Sequence, residues 1–359
     1  MRVLLAGGGT AGHTSPLLAT AAVLADAGDE ITCLGTPKGL EVTLIPEAGH
    51  PLELVPPVPL PRRPNADLVR LPANLRRSVK ATLDVIDRVR PDVVVGFGGY
   101  VSVPAYLAAR RRKLPLVVHE GNALPGIANK LGARLTSHVA TSFSETDLRG
   151  ATYVGLPIRR RIADLDREAS RDEARRHFGL DADRPTILVT GGSQGARRIN
   201  TTMAASARDL AAAGVQVLHA AGRPDEVDLD RRAGDPPYVV EQYIDRIDLA
   251  YAAADLVVCR SGANTVTEVA AVGLPAVFVP LPIGNGEQAL NAHPVVGAGG
   301  ALLIEDAAFT PAWVDSAVVS LVTSPDRLAR MSRAASGIVR RDAAELLADM
   351  VHRAAREDR

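Results

Sequence analysis

Aromatic residues are scarce, at 3 % of 359 residues, with one Trp, six Tyr and five Phe. Apolar residues nevertheless reach 47 %, so aliphatic side chains must fill the cores. Cysteine is nearly absent: Cys33 and Cys259 lie far apart, each inside an apolar run, with no Cys or His cluster beside either. That argues against a disulfide framework or a cysteine metal site; it leaves two buried thiols and fits a reducing cytoplasm. Net charge is also missing, since Lys+Arg and Asp+Glu are both 41. A protein that coats nucleic acid through bulk charge is therefore not expected, although a local basic patch remains open. The two longest uncharged stretches, Val93–Ala109 and Val269–Gly286, are broken by Gly and Pro, so neither reads as a membrane-spanning helix. The opening apolar stretch runs straight into glycines and is too short for a signal-peptide core. Disordered, collagen-like and coiled-coil classes do not fit this composition.

What is present is an α/β pattern, and the length suggests two domains. Short buried strands are expected at Val3–Ala6, Glu30–Gly35, Asp92–Gly96, Leu116–His119 and Val139–Ala140, with Pro51–Pro64 a proline-rich loop. Strand, turn, helix, strand is how a parallel sheet begins. The pattern restarts near residue 160, with strands at Thr186–Thr190, Val215–Ala220, Leu256–Cys259, Ala276–Pro280 and Ala301–Ile304. The charged, helix-prone stretch Arg159–Arg176 opens the second domain, so the expected division is 1–158, 159–338 and a terminal helix in 339–359.

Three glycine loops follow predicted strands: Gly7-Gly8-Gly9-Thr10-Ala11-Gly12, Gly96-Phe97-Gly98-Gly99-Tyr100 and Gly191-Gly192-Ser193-Gln194-Gly195. Glycine lets backbone approach a phosphate, and a helix N-terminus offers N–H groups with partial positive charge. The first loop matches G-x-G-x-x-G, but strand Glu30–Gly35 continues into Thr36 without the carboxylate that a dinucleotide's ribose requires, which argues against NAD. His13 closes this loop and is suited to take a proton near neutral pH. All three loops sit at strand carboxyl ends, where open α/β sheets bind ligands. Gly96–Tyr100, taken alone, also reads as a packing turn.

The run Leu256–Glu268 reads as strand, Ser-Gly turn and helix start. Thr265 and Glu268 have the spacing of a capping box; a carboxylate there could instead accept hydrogen bonds from a ribose diol. Gln288 and Asn291 share a helix face, and amides can read sugar hydroxyls.

The stretches Gly8–Ala19, Val95–Ala105, His119–Lys130, Gly155–Arg160, Val189–Asn200, Val258–Pro280 and Glu287–Ala292 resemble, in order and across nearly the whole chain, the MurG family. These are the UDP-N-acetylglucosamine:N-acetylmuramyl-(pentapeptide) pyrophosphoryl-undecaprenol N-acetylglucosamine transferases of bacterial peptidoglycan synthesis. The resemblance implies two Rossmann-like domains facing across a cleft, the GT-B glycosyltransferase architecture. The N-terminal domain would take the lipid-linked acceptor (lipid I), the C-terminal domain UDP-GlcNAc, and the terminal helix would return to the N-terminal domain. It implies donor contacts from Thr10, Ala11, Gly12, Asn122, Arg159, Ser193, Ile244, Ala263, Asn264, Thr265, Val266, Thr267, Glu268, Gln288 and Asn291. Ser193 would hold the diphosphate, Ile244 meet uracil through its backbone and Glu268 bind the ribose diol. Gly98, Gly99 and Tyr100 form the expected acceptor diphosphate loop. His13 is the expected general base, with Glu120 and His119 as alternatives because they end a strand on the active side. Transfer would invert the anomeric carbon, with no metal and no cofactor. The setting implied is the cytoplasmic face of the cell membrane, peripherally bound, among proteins of cell-wall synthesis and division. Ala11, Gly121, Asn264 and Thr267 depart from the family's usual Gly, Gln, Leu and Ser. Another nucleotide-sugar transferase, an epimerase and a non-catalytic nucleotide-sugar sensor stay open as alternatives.

Between residues 60 and 113 twelve Lys/Arg face four acids. Leu68, Leu71, Leu75, Val79, Leu83, Ile86 and Val89 recur at helical spacing. Most of this stripe reads as core-facing, and Pro72 predicts an interruption. Basic residues flanking apolar ones also suit an anionic membrane surface.

Overall fold

The computed structural model describes residues 1–58, 66–192 and 195–357, and the chain divides into two compact units, Met1–Arg159 with Arg340–Arg359, and Arg160–Val339. Each unit is built on a wholly parallel sheet. Unit 1 contains β1 (Arg2–Ala6), β2 (Glu30–Gly35), β3 (Leu52–Leu54), β4 (Val93–Gly96), β5 (Leu116–Glu120), β6 (His138–Thr141) and β7 (Ala151–Tyr153), in the order β3-β2-β1-β4-β5-β6-β7. Unit 2 contains β8 (Thr186–Thr190), β9 (Gln216–Ala220), β10 (Tyr238–Glu241), β11 (Leu256–Cys259), β12 (Ala276–Phe278) and β13 (Ala301–Leu303), in the order β10-β9-β8-β11-β12-β13. Central strands such as β4 and β11 are buried along their whole length, as parallel strands covered on both faces must be.

In both sheets the strand order reverses beside the first strand, between β1 and β4 and between β8 and β11. Crossovers leave in opposite directions at that point and open a crevice at the strand carboxyl ends. This topology brings the loops after β1 and β4 together in unit 1, and those after β8 and β11 in unit 2.

Three edge strands differ from the sequence reading. β3 lies inside the proline-rich segment, and no strand is expected from the sequence at β7 or β10. Each is three or four residues long and largely half-exposed, so no apolar run marks it. The helices of unit 1 are α1 (Ala11–Asp26), α2 (Glu41–Glu47), α3 (Ala66–Val89), α4 (Ser102–Arg112) and α5 (Ile127–Gly132). α3 corrects the expected break: it runs through Pro72. Pro72 sits in its second turn and is exposed, so the helix forgoes one backbone hydrogen bond near its start and then continues. Val79 and Ile86 are buried, while Leu71 and Leu75 stay half-exposed. Leu68 lies outside the residues whose side chains are described.

The C-terminal helix Ala343–Glu357 belongs to unit 1. Its Leu347, Met350 and Val351 share one core with Val3, Leu17 and Val95, and His352 Nε2 lies 2.7 Å from Asp29 Oδ2. Cys33 and Cys259 are both free and buried; burial pushes the Cys33 thiol up to about 12 and raises Cys259 as well.

Candidate active site

In unit 1, β1 ends at Ala6, and Gly9 turns the chain with φ +87°. Thr10 is the N-cap of α1 in extended conformation, but its hydroxyl does not cap the helix. It lies instead 3.2 Å from His13 Nδ1. Gly98 and Gly99 carry positive φ of 92° and 80°, which L side chains rarely adopt. A Cβ on Gly98 would come within 3.1 Å of the His13 ring, and one on Gly99 within 2.7 Å of the Gly8 carbonyl oxygen. The second glycine loop thus does more than close a packing turn. Its missing side chains make room for His13 and let the two loops touch. His13 is half-buried, Thr10 and Gly12 are exposed, Ala11 is half-buried, and Tyr100 is exposed at the same edge.

His119 and Glu120, the alternative bases, are both buried and bonded within the fold. His119 is fully buried, with Nε2 3.2 Å from the Gly155 carbonyl and 3.1 Å from Ser142 Oγ. Glu120 is also buried. Its Oε1 accepts from Asn122 N at 2.9 Å, and its Oε2 accepts from Gly126 N and Asn129 Nδ2, each at 2.9 Å. Both oxygens are engaged in holding the loop that presents Asn122. Asn129 Oδ1 in turn accepts from Tyr106 at 2.6 Å. Asn129 therefore braces β5, and its Nδ2 would lie 3.3 Å from a Cβ placed on Gly98, a role with no signature in the sequence.

In unit 2, Ser193 lies outside the described residues. The rest of its loop is shaped by Gly192 and Gly195, with φ +85° and +72°. A Cβ on Gly195 would stand 2.2 Å from the Ala221 carbonyl oxygen. Beneath the loop, Asn200 Nδ2 donates to that same carbonyl at 2.9 Å. Asn200 Oδ1 is 3.0 Å from His219 Nε2, and Tyr238 OH is 3.0 Å from His219 Nδ1. This arrangement suits a neutral imidazole that donates at Nε2 and accepts at Nδ1.

Burial pushes both His119 and His219 down to about 4. In the unfolded chain each titrates near 6.5, so unfolding takes up protons between about pH 6.5 and 4. Stability is full above that window and falls as pH falls through it, by up to about 1.4 kcal/mol per pH unit for each histidine. Urea unfolding from pH 7 to 4.5 should show this slope, and His219→Gln should flatten it in unit 2. Equal slopes in the two proteins would contradict the assignment.

The helix Ala263–Ala271 begins after the N-cap Gly262. Thr265 is its third residue, so the capping-box reading is overturned. The Val266 N–H already bonds the Gly262 carbonyl at 3.0 Å, and Val266 and Thr267 are turned into the core. The N–H groups preceding that bond are those of Ala263–Thr265, at the positive end of the helix. Glu268 is buried and its Oε2 accepts from Tyr251 OH at 2.9 Å. Tyr251 lies in a separate helix, Ile247–Ala253, and nothing in its spacing announced it. Ile244 is buried while Tyr243 beside it is exposed. The loop is anchored by Arg161, which donates to the Asp245 carbonyl at 3.1 Å, and by the Arg246–Asp248 pair at 2.7 Å; these charges hold the Asp248 carboxyl below its usual range against the cost of its burial. Gln288 Oε1 accepts from Leu281 N at 2.9 Å, whereas Asn291 is fully buried. Arg159, half-buried, ends the first segment of unit 1.

Two parallel sheets, each with a glycine loop and a helix start at its switch point, define the α/β fold of the nucleotide-sugar glycosyltransferases. The chain belongs to glycosyltransferase family 28: residues 3–141 match the family's N-terminal domain and residues 186–347 its C-terminal domain. A relative from Nocardioides sp. is 64 % identical over 98 % of this chain and 97 % of its own length. One from Streptomyces avermitilis is 55 % identical over 99 % and 98 %. Both bear the name UDP-N-acetylglucosamine--N-acetylmuramyl-(pentapeptide) pyrophosphoryl-undecaprenol N-acetylglucosamine transferase. The crystal structure of Acinetobacter baumannii MurG superposes with a TM-score of 0.78 at 27 % identity, covering 98 % of this chain and 99 % of that one.

Proposed function

We propose that this glycosyltransferase moves GlcNAc from UDP-GlcNAc to the 4-hydroxyl of the muramyl sugar of lipid I, inverting the anomeric carbon. The observation that carries the reading is the 64 % identity, along the whole chain, to a relative bearing the name of that transferase. A direct displacement needs a base on the acceptor hydroxyl and stabilisation of the departing diphosphate. His13, at the junction of two glycine loops, serves as the base. The helix start at Ala263–Thr265 and the Gly191–Gly195 loop, Ser193 included, stabilise the diphosphate. Glu268 holds the ribose diol, Ile244 the uracil, and Gln288 the sugar. Asn122 and Arg159 complete the donor contacts, and Gly98, Gly99 and Tyr100 receive the acceptor's diphosphate.

Transfer of labelled GlcNAc to a lipid I analogue, with EDTA present and a no-acceptor control, tests this. The expected product is a β-1,4-linked disaccharide, with UDP released only when acceptor is present and no loss of rate in EDTA. UDP release without acceptor would instead indicate hydrolysis or epimerisation. Donor binding without turnover would indicate a different acceptor or a sensor.

No helix among the described residues is long and apolar enough to cross a membrane. We assign the membrane contact to the neighbouring helices α3 and α4 at the cytoplasmic face. Arg70, Arg76, Arg77, Lys80, Arg110, Arg111 and Lys113 are exposed there, whereas Arg88 and Arg112 pair with Glu53 and Asp87. Attraction to anionic lipid is worth about 1 kcal/mol per basic residue and is screened by salt. Binding to vesicles containing phosphatidylglycerol should drop about tenfold or more between 0.05 and 0.5 M salt. Salt-independent binding would count against the electrostatic part.

A further inference from the structure

Glu41, the first residue of α2, is fully buried. Its Oε2 accepts from the Gly9 N–H at 2.8 Å. Its Oε1 accepts from the Thr36 N–H at 3.0 Å and from the Thr36 hydroxyl at 2.8 Å. One carboxyl group therefore ties the loop after β1 to the loop after β2. The backbone around it is cleared for this purpose. A Cβ on Gly8, Gly35 or Gly39 would fall 2.4, 2.6 or 1.8 Å from a Glu41 atom. A buried carboxyl that satisfies three donors on two loops is a rigid brace, and each of those donors would be left unsatisfied without it.

The brace ends next to the proposed base. Gly9 precedes Thr10, whose hydroxyl lies 3.2 Å from His13 Nδ1. The Gly9 N–H is directed at Glu41, so this loop does not present that donor to a phosphate as a dinucleotide loop would. We propose that Glu41 is a positioning residue for the transfer reaction: it fixes Gly9 and thereby holds Thr10 against the imidazole of His13. The assignment rests on the reading of His13 as the base. Glu41 touches neither substrate; it acts through the loop.

The test compares Glu41→Gln, His13→Ala and the combined variant in the full-length enzyme, with UDP-GlcNAc and a lipid I analogue. An amide keeps the volume of Glu41, but its nitrogen cannot accept from an N–H, so either Gly9 or Thr36 loses its partner. Small displacements of a reacting group cost up to about 100-fold in rate. Glu41→Gln should therefore lower kcat about 10–100-fold while KM for UDP-GlcNAc stays within about twofold. The combined variant should be no slower than His13→Ala alone, because both changes remove the same contribution. A purely structural role would give multiplying losses or unchanged kcat per UDP-binding site, and either overturns the proposal. Thr36→Val, which removes one hydroxyl donor and no charge, decides the matter if Glu41→Gln does not fold; about a 3–10-fold loss of kcat, again absent in the His13→Ala background, is expected. A fast Thr36→Val or a multiplying loss overturns it. A near-normal rate in His13→Ala overturns both the base assignment and the role of Glu41. A slow His13→Ala beside a fast Glu41→Gln overturns the role of Glu41 alone.

Discussion

His13→Ala should lower kcat by about 10²–10⁴-fold, the usual worth of a positioned general base, and leave the Kd for UDP-GlcNAc within a few fold. The expectation follows from where the imidazole sits. It is held on one side by Thr10 and on the other by two glycines that could not carry side chains without displacing it or the first loop. The ring occupies space that the fold has kept for it, at the carboxyl ends of β1 and β4. Unlike His119 it is not sealed in the core, so it can meet a hydroxyl. The loss should appear in kcat and kcat/KM alike, the mark of an interaction made only in the transition state. Single-turnover transfer and donor calorimetry on the same preparation give both numbers. A near-normal rate would remove His13 from the role.

The second large effect concerns Glu268. Its carboxyl is buried and already accepts one hydrogen bond from Tyr251, and in the proposed function it holds the ribose diol. A hydrogen bond to a charged group is worth about 1.5–3 kcal/mol, so Glu268→Ala should raise Kd and KM for UDP-GlcNAc by about 10–150-fold with little change in kcat. Such a split marks binding shared by ground and transition states. Tyr251→Phe leaves the carboxyl in place but loosens it, and a smaller rise of about 3–10-fold is expected. The decisive comparison uses a 2′-deoxyribose donor. Wild-type enzyme should reject it, and Glu268→Ala should treat it and UDP-GlcNAc almost alike. Discrimination that survives the substitution would show that another residue reads the ribose.

The elements that announced themselves share a physical cause. Strands β1, β4, β8 and β11 are buried on both faces and so appear as unbroken aliphatic runs, and those of β1, β4 and β8 end at glycines where an added Cβ would clash. Edge strands β3, β7 and β10 have one neighbour and half-exposed side chains, and their composition matches that of loops. The run through Pro72 was hidden for a different reason: proline is costly inside a helix, but its cost is small where only one bond is forgone near the start.

The α/β class, the glycine loops, the position of His13 after the first of them and the family are legible in the chain, because backbone clearance and aliphatic burial depend on residue type at fixed local spacing. Which polar groups are engaged by the fold and which stay open to solvent emerges from the packing instead. His119, Glu120 and His13 look alike as candidates in the chain, yet both oxygens of Glu120 are engaged by Asn122, Gly126 and Asn129, and His119 is buried with its Nε2 against Gly155 and Ser142. Likewise Glu268 passes from a helix cap to a buried carboxyl held by Tyr251, and Glu41 emerges as the brace of the first loop. The reason is that a polar side chain's role is set by which partners reach it and whether water does, and those partners come from strands and helices that the sheet order, not the sequence order, brings together.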